Sequence, residues 1–435
     1  MLAVVMLLVL MFLRVPVAIC LLAAGVLGLI LLDGPQVASA SLARVPFQAI
    51  GKTTLIVIPM FILMGMFAKE SGLAERLFAV IREKAARLPG GLAVATILAC
   101  VGFGAVSGSS SAAVATVGKL SIGEMLKAGY NRSFASGTVA SGGTLGILIP
   151  PSIALVIYGQ VTEESIGSLL LAGIIPGILS AGVMILYILI RATVDKKSVG
   201  QGRGEPVAIS ASSSWGRIIG VTVRVLVLFG IVMGGIYTGF ATPTEAAALG
   251  ASAAFIMLLI DAPKTGRSRW VAFKASVRAS VKLTAMIFAL LIGASIFSTF
   301  LVRSGAPRDF AEWASSFDIA PILIVMIMLL LFVPLGMFVD GISMIVIAIP
   351  LTYPVVTELG FDGIWYGILA IKLIELGLIT PPLGLNVFVT AGTTRGLKVE
   401  EIFRGVVPYY LVDVAIVAIL IAFPVIVLWL PSVAG

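Results

Sequence analysis

Long apolar runs, interrupted by clusters of Gly, Ser, Lys and Arg, dominate the chain. After a first run over residues 1–32, broken by Arg14 and Pro16, apolar segments fall at about 52–68, 90–118, 134–160, 166–190, 217–236, 242–260, 283–302, 320–356, 363–392 and 408–430. Most reach the ~20 residues that a helix needs to cross the hydrocarbon core. Two segments do not fit a single span. Residues 90–118 hold Ser107-Gly-Ser-Ser-Ser111, and residues 320–356 hold Pro334, Gly336, Asp340 and Gly341 at their middle. Each is long enough for two short antiparallel helices joined at a tip, which predicts a re-entrant hairpin. Two more segments, 134–160 and 363–392, are interrupted by Leu145-Gly-Ile-Leu-Ile-Pro-Pro151 and Leu376-Gly-Leu-Ile-Thr-Pro-Pro382. Irregular backbone at membrane depth is tolerated only where protein buries it or it lines a polar cavity.

Composition supports a chain that sits mostly in lipid: 60% hydrophobic, 11% charged, mean hydropathy +1.15 over 435 residues. Ala38-Ser-Ala40 has the form of a signal-peptidase site, but no charged region precedes it and the run is too long. An uncleaved first helix is expected. There is no histidine, which removes the commonest metal ligand and general base and argues against an enzyme. Cys20 and Cys100 both lie in apolar segments and are expected as free core residues. The net charge of +8 would suit nucleic acid, but its distribution follows membrane orientation instead. With both hairpins returning to the side they left, residues 69–88, 119–132, 191–217, 263–282 and 395–404 share one side and hold 22 of the Lys and Arg. The opposite loops hold only Arg44, Lys52, Arg303 and Arg308. The positive-inside rule makes the rich side cytoplasmic, with the N-terminus inside and the C-terminus outside.

The two halves also repeat. Ser71-Gly72 and Ser304-Gly305 are 233 residues apart, and the same spacing carries Ser107-Gly108 to Asp340-Gly341 and Ser110 to Ser343. Pro150-Pro151 and Pro381-Pro382 are 231 apart. By the charge distribution 69–88 is cytoplasmic and its counterpart outside, so the repeats are inverted. Inverted repeats with broken helices at matching positions mark secondary transporters. The expected fold is therefore an all-α polytopic membrane protein of two inverted-topology repeats, 1–192 and 217–435. Two re-entrant hairpins have tips near the midplane, and residues 193–216 form a cytoplasmic linker.

The candidate chemistry follows from these interruptions. An ion leaving water needs other oxygens, and half-helix N-termini attract anions. Ser107, Ser109, Ser110 and Ser111 offer hydroxyls at the first tip; Gly108, Gly142, Gly143 and Gly146 let carbonyls turn inward, and Pro150 and Pro151 leave carbonyls unpaired. Gly341, Ser343, Gly377, Thr380, Pro381 and Pro382 repeat the set. Charges within apolar segments are few: Arg14, Arg224, Glu245, Asp340, Lys372, Glu375 and Asp413. Asp340 is the strongest candidate, to neutralise a cation or accept from a substrate hydroxyl. Lys372 and Glu375, three apart, are expected to pair. Arg14 and Asp413 are expected to snorkel from helix ends. Asn386 is a candidate neutral ligand.

In combination, Ile58-Pro-Met-Phe-Ile-Leu-Met-Gly65, Ser107-Gly-Ser-Ser-Ser-Ala112, Gly146-Ile-Leu-Ile-Pro-Pro-Ser152, Gly239-Phe-Ala-Thr-Pro-Thr-Glu-Ala246 and Leu378-Ile-Thr-Pro-Pro-Leu-Gly-Leu-Asn386 resemble the large membrane subunit of a tripartite ATP-independent periplasmic (TRAP) transporter. The resemblance implies an elevator-type Na⁺ symporter of the bacterial inner membrane. A periplasmic solute-binding protein would deliver an organic anion to it, and a separate small four-helix membrane subunit would widen the scaffold. It implies one sodium site at Ser107, Ser109, Gly143 and Thr144, and a second at Gly341, Ser343, Gly377 and Thr380. Substrate is expected near Ser110, Ser152, Asp340 and Asn386. Na⁺ is the coupling ion and no cofactor is expected. No Gly-x-x-x-x-Gly-Lys-Ser/Thr is present to suggest direct ATP use. The competing readings are a stand-alone Na⁺/carboxylate symporter, a membrane-embedded enzyme, and a bare receptor-docking subunit.

Overall fold

A computed structural model describes residues 2–13, 15–85, 88–200, 215–315 and 319–434. Among these residues the chain is helical with no strand, and eight helices are long and apolar enough to cross a membrane. The element order is the same in both halves. A long helix (Val57–Glu70; Arg269–Arg303) leads to a short amphipathic helix (Leu73–Ala85; Ala306–Ser315), then a hairpin, a broken helix and a closing long helix (Ile166–Val194; Val399–Ala422).

The repeated Ser-Gly pair is a helix stop. Ser71 and Ser304 end their helices and donate from Oγ to the carbonyls of Ala68 (2.7 Å) and Leu301 (2.8 Å). Gly72 and Gly305 follow with φ of +77° and +75°, a region that glycine enters without a Cβ penalty. The Gly239–Ala246 motif is a helix start. Thr242 accepts from the Glu245 amide at 3.3 Å, Glu245 accepts from the Thr242 amide at 2.8 Å, and Pro243 takes the first helical position. Glu245 is therefore a cap residue, exposed on the surface of the chain.

Both hairpins form. The first has arms Gly91–Ser107 and Ser110–Lys127; the second has a first arm in two pieces, Pro321–Leu330 and Phe332–Phe338, and a second arm Gly341–Glu358. Ala95, Ala99, Cys100 and Phe103 of one first-hairpin arm pack on Ala113 and Val117 of the other. The broken helices run Arg132–Gly142 then Ile153–Thr162, and Gly363–Gly377 then Leu385–Thr393. The halves interlock reciprocally: Gly341–Glu358 packs on Ile153–Thr162, and Leu385–Thr393 packs on Ser110–Lys127. Around them Val17–Asp33, Val57–Glu70, Pro243–Asp261 and Arg269–Arg303 pack on one another. Gly25 and Gly293 allow near backbone contact within that group.

Several expectations are corrected. The run 1–32 is two helices, Leu2–Phe12 and Val17–Asp33, divided at Pro16; Arg14 lies outside the described residues. Pro35–Ile50 is a helix that mixed polarity concealed. The loops expected at 119–132 and 263–282 are largely helical, because helices continue past their apolar stretch with Lys119, Lys127, Lys274, Arg278 and Lys282 on them. Segment 408–430 is the end of Val399–Ala422 and a separate Val425–Ala434, parted at Pro424. Of the linker at 193–216, residues 201–214 lie outside the described residues; Ser198 just before them accepts from the Asn131 amide at 3.0 Å.

Candidate functional site at two hairpin tips and two helix breaks

The tips are built from capping residues. In the first, Gly108 (φ +60°) ends one arm and Ser109 opens the next, its Oγ accepting from the Ala112 amide at 3.4 Å. In the second, Asp340 opens the arm: Oδ1 accepts from the amides of Ile342 and Ser343, both at 3.1 Å, and Oδ2 accepts from Ser343 Oγ at 2.6 Å. By role, Ser109 corresponds to Asp340 and Ser110 to Gly341, at the 231 spacing of the Pro-Pro pairs. The 233 spacing of the Ser-Gly pairs does not extend to the tips, because the second half is two residues shorter between helix stop and tip. Asp340 directs both carboxylate oxygens to its own helix N-terminus, so it brings charge to the tip with its acceptors already engaged.

Each hairpin crosses the break in its own half at paired glycines. A Cβ on Gly104 would lie 2.6 Å from Gly146 Cα, and one on Gly336 would lie 2.6 Å from Gly377 Cα. This contact brings tip and break together. A Cβ on Gly108 would meet the Pro151 carbonyl at 2.9 Å, and one on Gly146 the Ser109 carbonyl at 3.2 Å. Gly143 opens a 3₁₀ turn pressed against Val114. Thr144 Oγ1 donates to the Ser141 carbonyl at 2.7 Å, and Thr380 Oγ1 to the Leu376 carbonyl at 2.6 Å. Ser152 donates to the Ile147 carbonyl and caps Ile153–Thr162, accepting from the Leu155 amide at 3.2 Å. Both Pro-Pro bonds are cis.

Of the expected substrate residues, the structure joins two. Buried Asn386, from the second broken helix, donates from Nδ2 to Ser110 Oγ at 2.6 Å and to the Ala140 carbonyl at 3.4 Å. Ser152 and Asp340 each cap a helix and share no hydrogen bond with that pair. Three buried oxygens here have no protein partner: Ser107 Oγ, Ser141 Oγ and Asn386 Oδ1. A buried polar group left unsatisfied costs about 1–3 kcal/mol, so such oxygens belong where a guest supplies the missing contact.

The sequence reading missed Gly104 and Ser141, and took Gly336 as a mark of the second hairpin without its contact to Gly377. The 231 spacing flags Ser141, whose counterpart is Lys372, just as Thr144 has Glu375. Lys372 does pair with Glu375, at 2.7 Å, and also with Asp413, at 2.6 Å; all three side chains are 0% exposed. Asp413 is thus corrected from a snorkelling end residue to a fully buried partner in the middle of Val399–Ala422. Arg224 is bound as well, to Asp261 at 2.9 Å, which Arg76 also holds at 2.9 Å.

A family model described as "Tripartite ATP-independent periplasmic transporter, DctM component" matches residues 4–426. The chain belongs to this family. The TRAP permease is 36% identical over 406 residues to the C4-dicarboxylate TRAP transporter large permease protein DctM of Pseudomonas aeruginosa, covering 91% of this chain and 90% of that one. It is 29% identical over 424 residues to the sialic acid permease SiaM of Vibrio cholerae, covering 97% and 96%. With the ectoine permease TeaC of Halomonas elongata it shares 31% over 428 residues, covering 98% and 97%. Among solved structures, the Alcanivorax borkumensis YdaH transporter, described as having an unusual topology, matches with a TM-score of 0.63 at 14% identity. That match covers 89% of this chain and 88% of the other, and it supports the fold alone. The TRAP large permease is a multi-pass membrane subunit of a tripartite system, with a small membrane subunit and a periplasmic binding protein.

Proposed function

We propose that this permease imports a small organic anion by Na⁺-coupled secondary transport across the bacterial inner membrane, with substrate delivered by the periplasmic receptor. The observation that carries the reading is the joining of Ser110 to Asn386 between two helix-start tips and two helix breaks, with unpartnered buried oxygens beside them. Hydroxyls and carbonyls suit Na⁺, and helix N-termini suit a carboxylate. C4-dicarboxylate, sialic acid and ectoine, in the names of the relatives, all carry a carboxylate. The first sodium is assigned to Ser107, Ser109, Gly143 and Thr144, and the second to Gly341, Ser343, Gly377 and Thr380. Substrate lies by Ser110 and Asn386, with Ser152 and Asp340 holding the helix starts that face it. The hairpins and broken helices move as a unit against the long-helix group, in the elevator manner, with the N-terminus cytoplasmic. Two Na⁺ with a monoanion carry net positive charge inward, which at ~2.3 kcal/mol per charge per 100 mV draws on the membrane potential.

The test is uptake of radiolabelled organic acids into proteoliposomes holding this chain, its small subunit and the cognate receptor. Uptake is expected to need both an inward Na⁺ gradient and receptor, and to fall at least about tenfold in Asn386→Leu, which strands the Ser110 hydroxyl, by the cost of a lost buried polar partner. Uptake without receptor would favour the stand-alone Na⁺/carboxylate symporter. Uptake indifferent to Na⁺ would overturn the assignment of the oxygens.

A further inference from the structure

A cleft of about 620 Å³ opens between the long-helix group and the hairpin-bearing part. One wall is Pro35–Ile50 and the end of Arg269–Arg303; the other is the end of Ile153–Thr162 and the second arm of the second hairpin. On that arm the lining residues Val346, Ile349, Pro350 and Tyr353 follow one helix face to within a turn of Ser343 at the tip. The cleft therefore leads from the surface toward the site assigned above.

Its charge is unusual for this chain. Arg44, Lys52 and Arg303, three of the four cations in the loops opposite the Lys- and Arg-rich side, all line it. Two of them are balanced. Lys52 pairs with Glu163 at 2.9 Å, its hydrogen bond and charge holding the Glu163 carboxyl below the usual carboxylate range, and Arg303 pairs with Asp33 at 2.7 Å. Tyr353 donates to Glu164 at 2.6 Å, and Glu164 does not line the cleft. Arg44 is exposed and has no such partner among the described residues. Low-dielectric walls bearing one unbalanced charge concentrate the opposite ion near them.

We infer that this cleft is an anion-selective access path, with Arg44 as the group that attracts a carboxylate toward the second hairpin tip. The inference rests on the reading of the chain as an anion permease, but its test does not require transport, Na⁺ or receptor. Cys20 and Cys100 are buried, so a thiol introduced by Ser298→Cys, on the cleft wall, reports its own surroundings. The full chain in detergent is labelled with thiosulfonate reagents of equal size bearing a sulfonate or a quaternary ammonium.

The sulfonate is expected to react at least about threefold faster relative to the cationic reagent than at Ser168→Cys, in a neighbouring cleft whose charged lining residue is Glu164. Arg44→Glu is expected to reverse that preference, and 1 M salt to bring it close to unity. Ser41→Cys, on the neighbouring helix of the same wall, repeats the measurement should Ser298→Cys fold poorly. A cationic preference at both cleft positions, or a preference that Arg44→Glu leaves unchanged, overturns the inference. Loss of Na⁺-driven uptake with intact charge selection would instead overturn the symport reading alone.

Discussion

The two helix breaks share one backbone plan and differ in the chemistry placed on it. Each has a glycine crossing, a Pro-Pro turn and a capped hairpin start. In the first half the positions one turn before the break hold Ser141 and Thr144, joined by a single hydroxyl-to-carbonyl hydrogen bond. In the second half the same positions hold Lys372 and Glu375, tied to Asp413 across to Val399–Ala422. The tips differ in the same sense, neutral Ser109 against charged Asp340. Symmetry fixes where the chain breaks. The departures from symmetry fix which break is clamped and which keeps a buried hydroxyl, that of Ser141, without a protein partner.

The largest effect should come from breaking the clamp. Lys372→Met leaves two carboxylates buried without their cation, a change that typically costs 3–5 kcal/mol. Ser141→Ala removes a buried hydroxyl with no protein partner and is expected to cause no loss of stability. Thermal and denaturant unfolding in detergent compare the two. Lys372→Met combined with Glu375→Gln and Asp413→Asn should recover most of the loss, since the penalty is for uncompensated charge. Equal destabilisation by Lys372→Met and Ser141→Ala would show that the triad is not a clamp.

The shared plan is tested at the crossings. Gly104→Ala and Gly336→Ala each place a methyl 2.6 Å from a backbone Cα of the facing break, so neither neighbour yields by a side-chain rotation. Each is expected to cost about 1–3 kcal/mol, with the two values alike. A cost confined to one would mean that the halves are packed differently at the one contact where their geometry agrees.

Much of the plan was legible because membrane depth makes interruptions conspicuous. Ser107-Gly108 and Asp340-Gly341 in runs too long for one span announced the hairpins, and the Pro-Pro pairs announced the breaks. The tip register misled, because Ser107-Gly108 ends a hairpin arm whereas Asp340-Gly341, the pair matched to it, begins one. Sequence similarity joined positions of different function, and only the capping geometry separates them. Asp413 misled for another reason. A lone acid in an apolar run reads as an end residue, and nothing local shows that Lys372, 41 residues earlier, lies against it. Gly104 was hidden among many glycines, and Gly336, though conspicuous in its run, gave no sign of Gly377; such partners come only with the fold.

The smallest contrast is at the two caps, where the role is matched but the charge and the strength are not. Ser109 makes a single long bond of 3.4 Å, while Asp340 makes three of 3.1, 3.1 and 2.6 Å and places a charge at a helix N-terminus. Cap removal costs about 0.5–2 kcal/mol, so Ser109→Ala belongs at the low end and Asp340→Ala at the high end. Asp340→Asn keeps an acceptor for the amides but loses the charge and the acceptor for Ser343 Oγ, and should fall between them by up to ~1 kcal/mol. If unfolding ranks the three in that order while Asp340→Asn alone weakens uptake out of proportion, the Asp340 charge serves the passing ion as well as its helix. If uptake instead follows stability across all three, Asp340 is a cap and nothing more, and the charge at the second tip plays no part in transport.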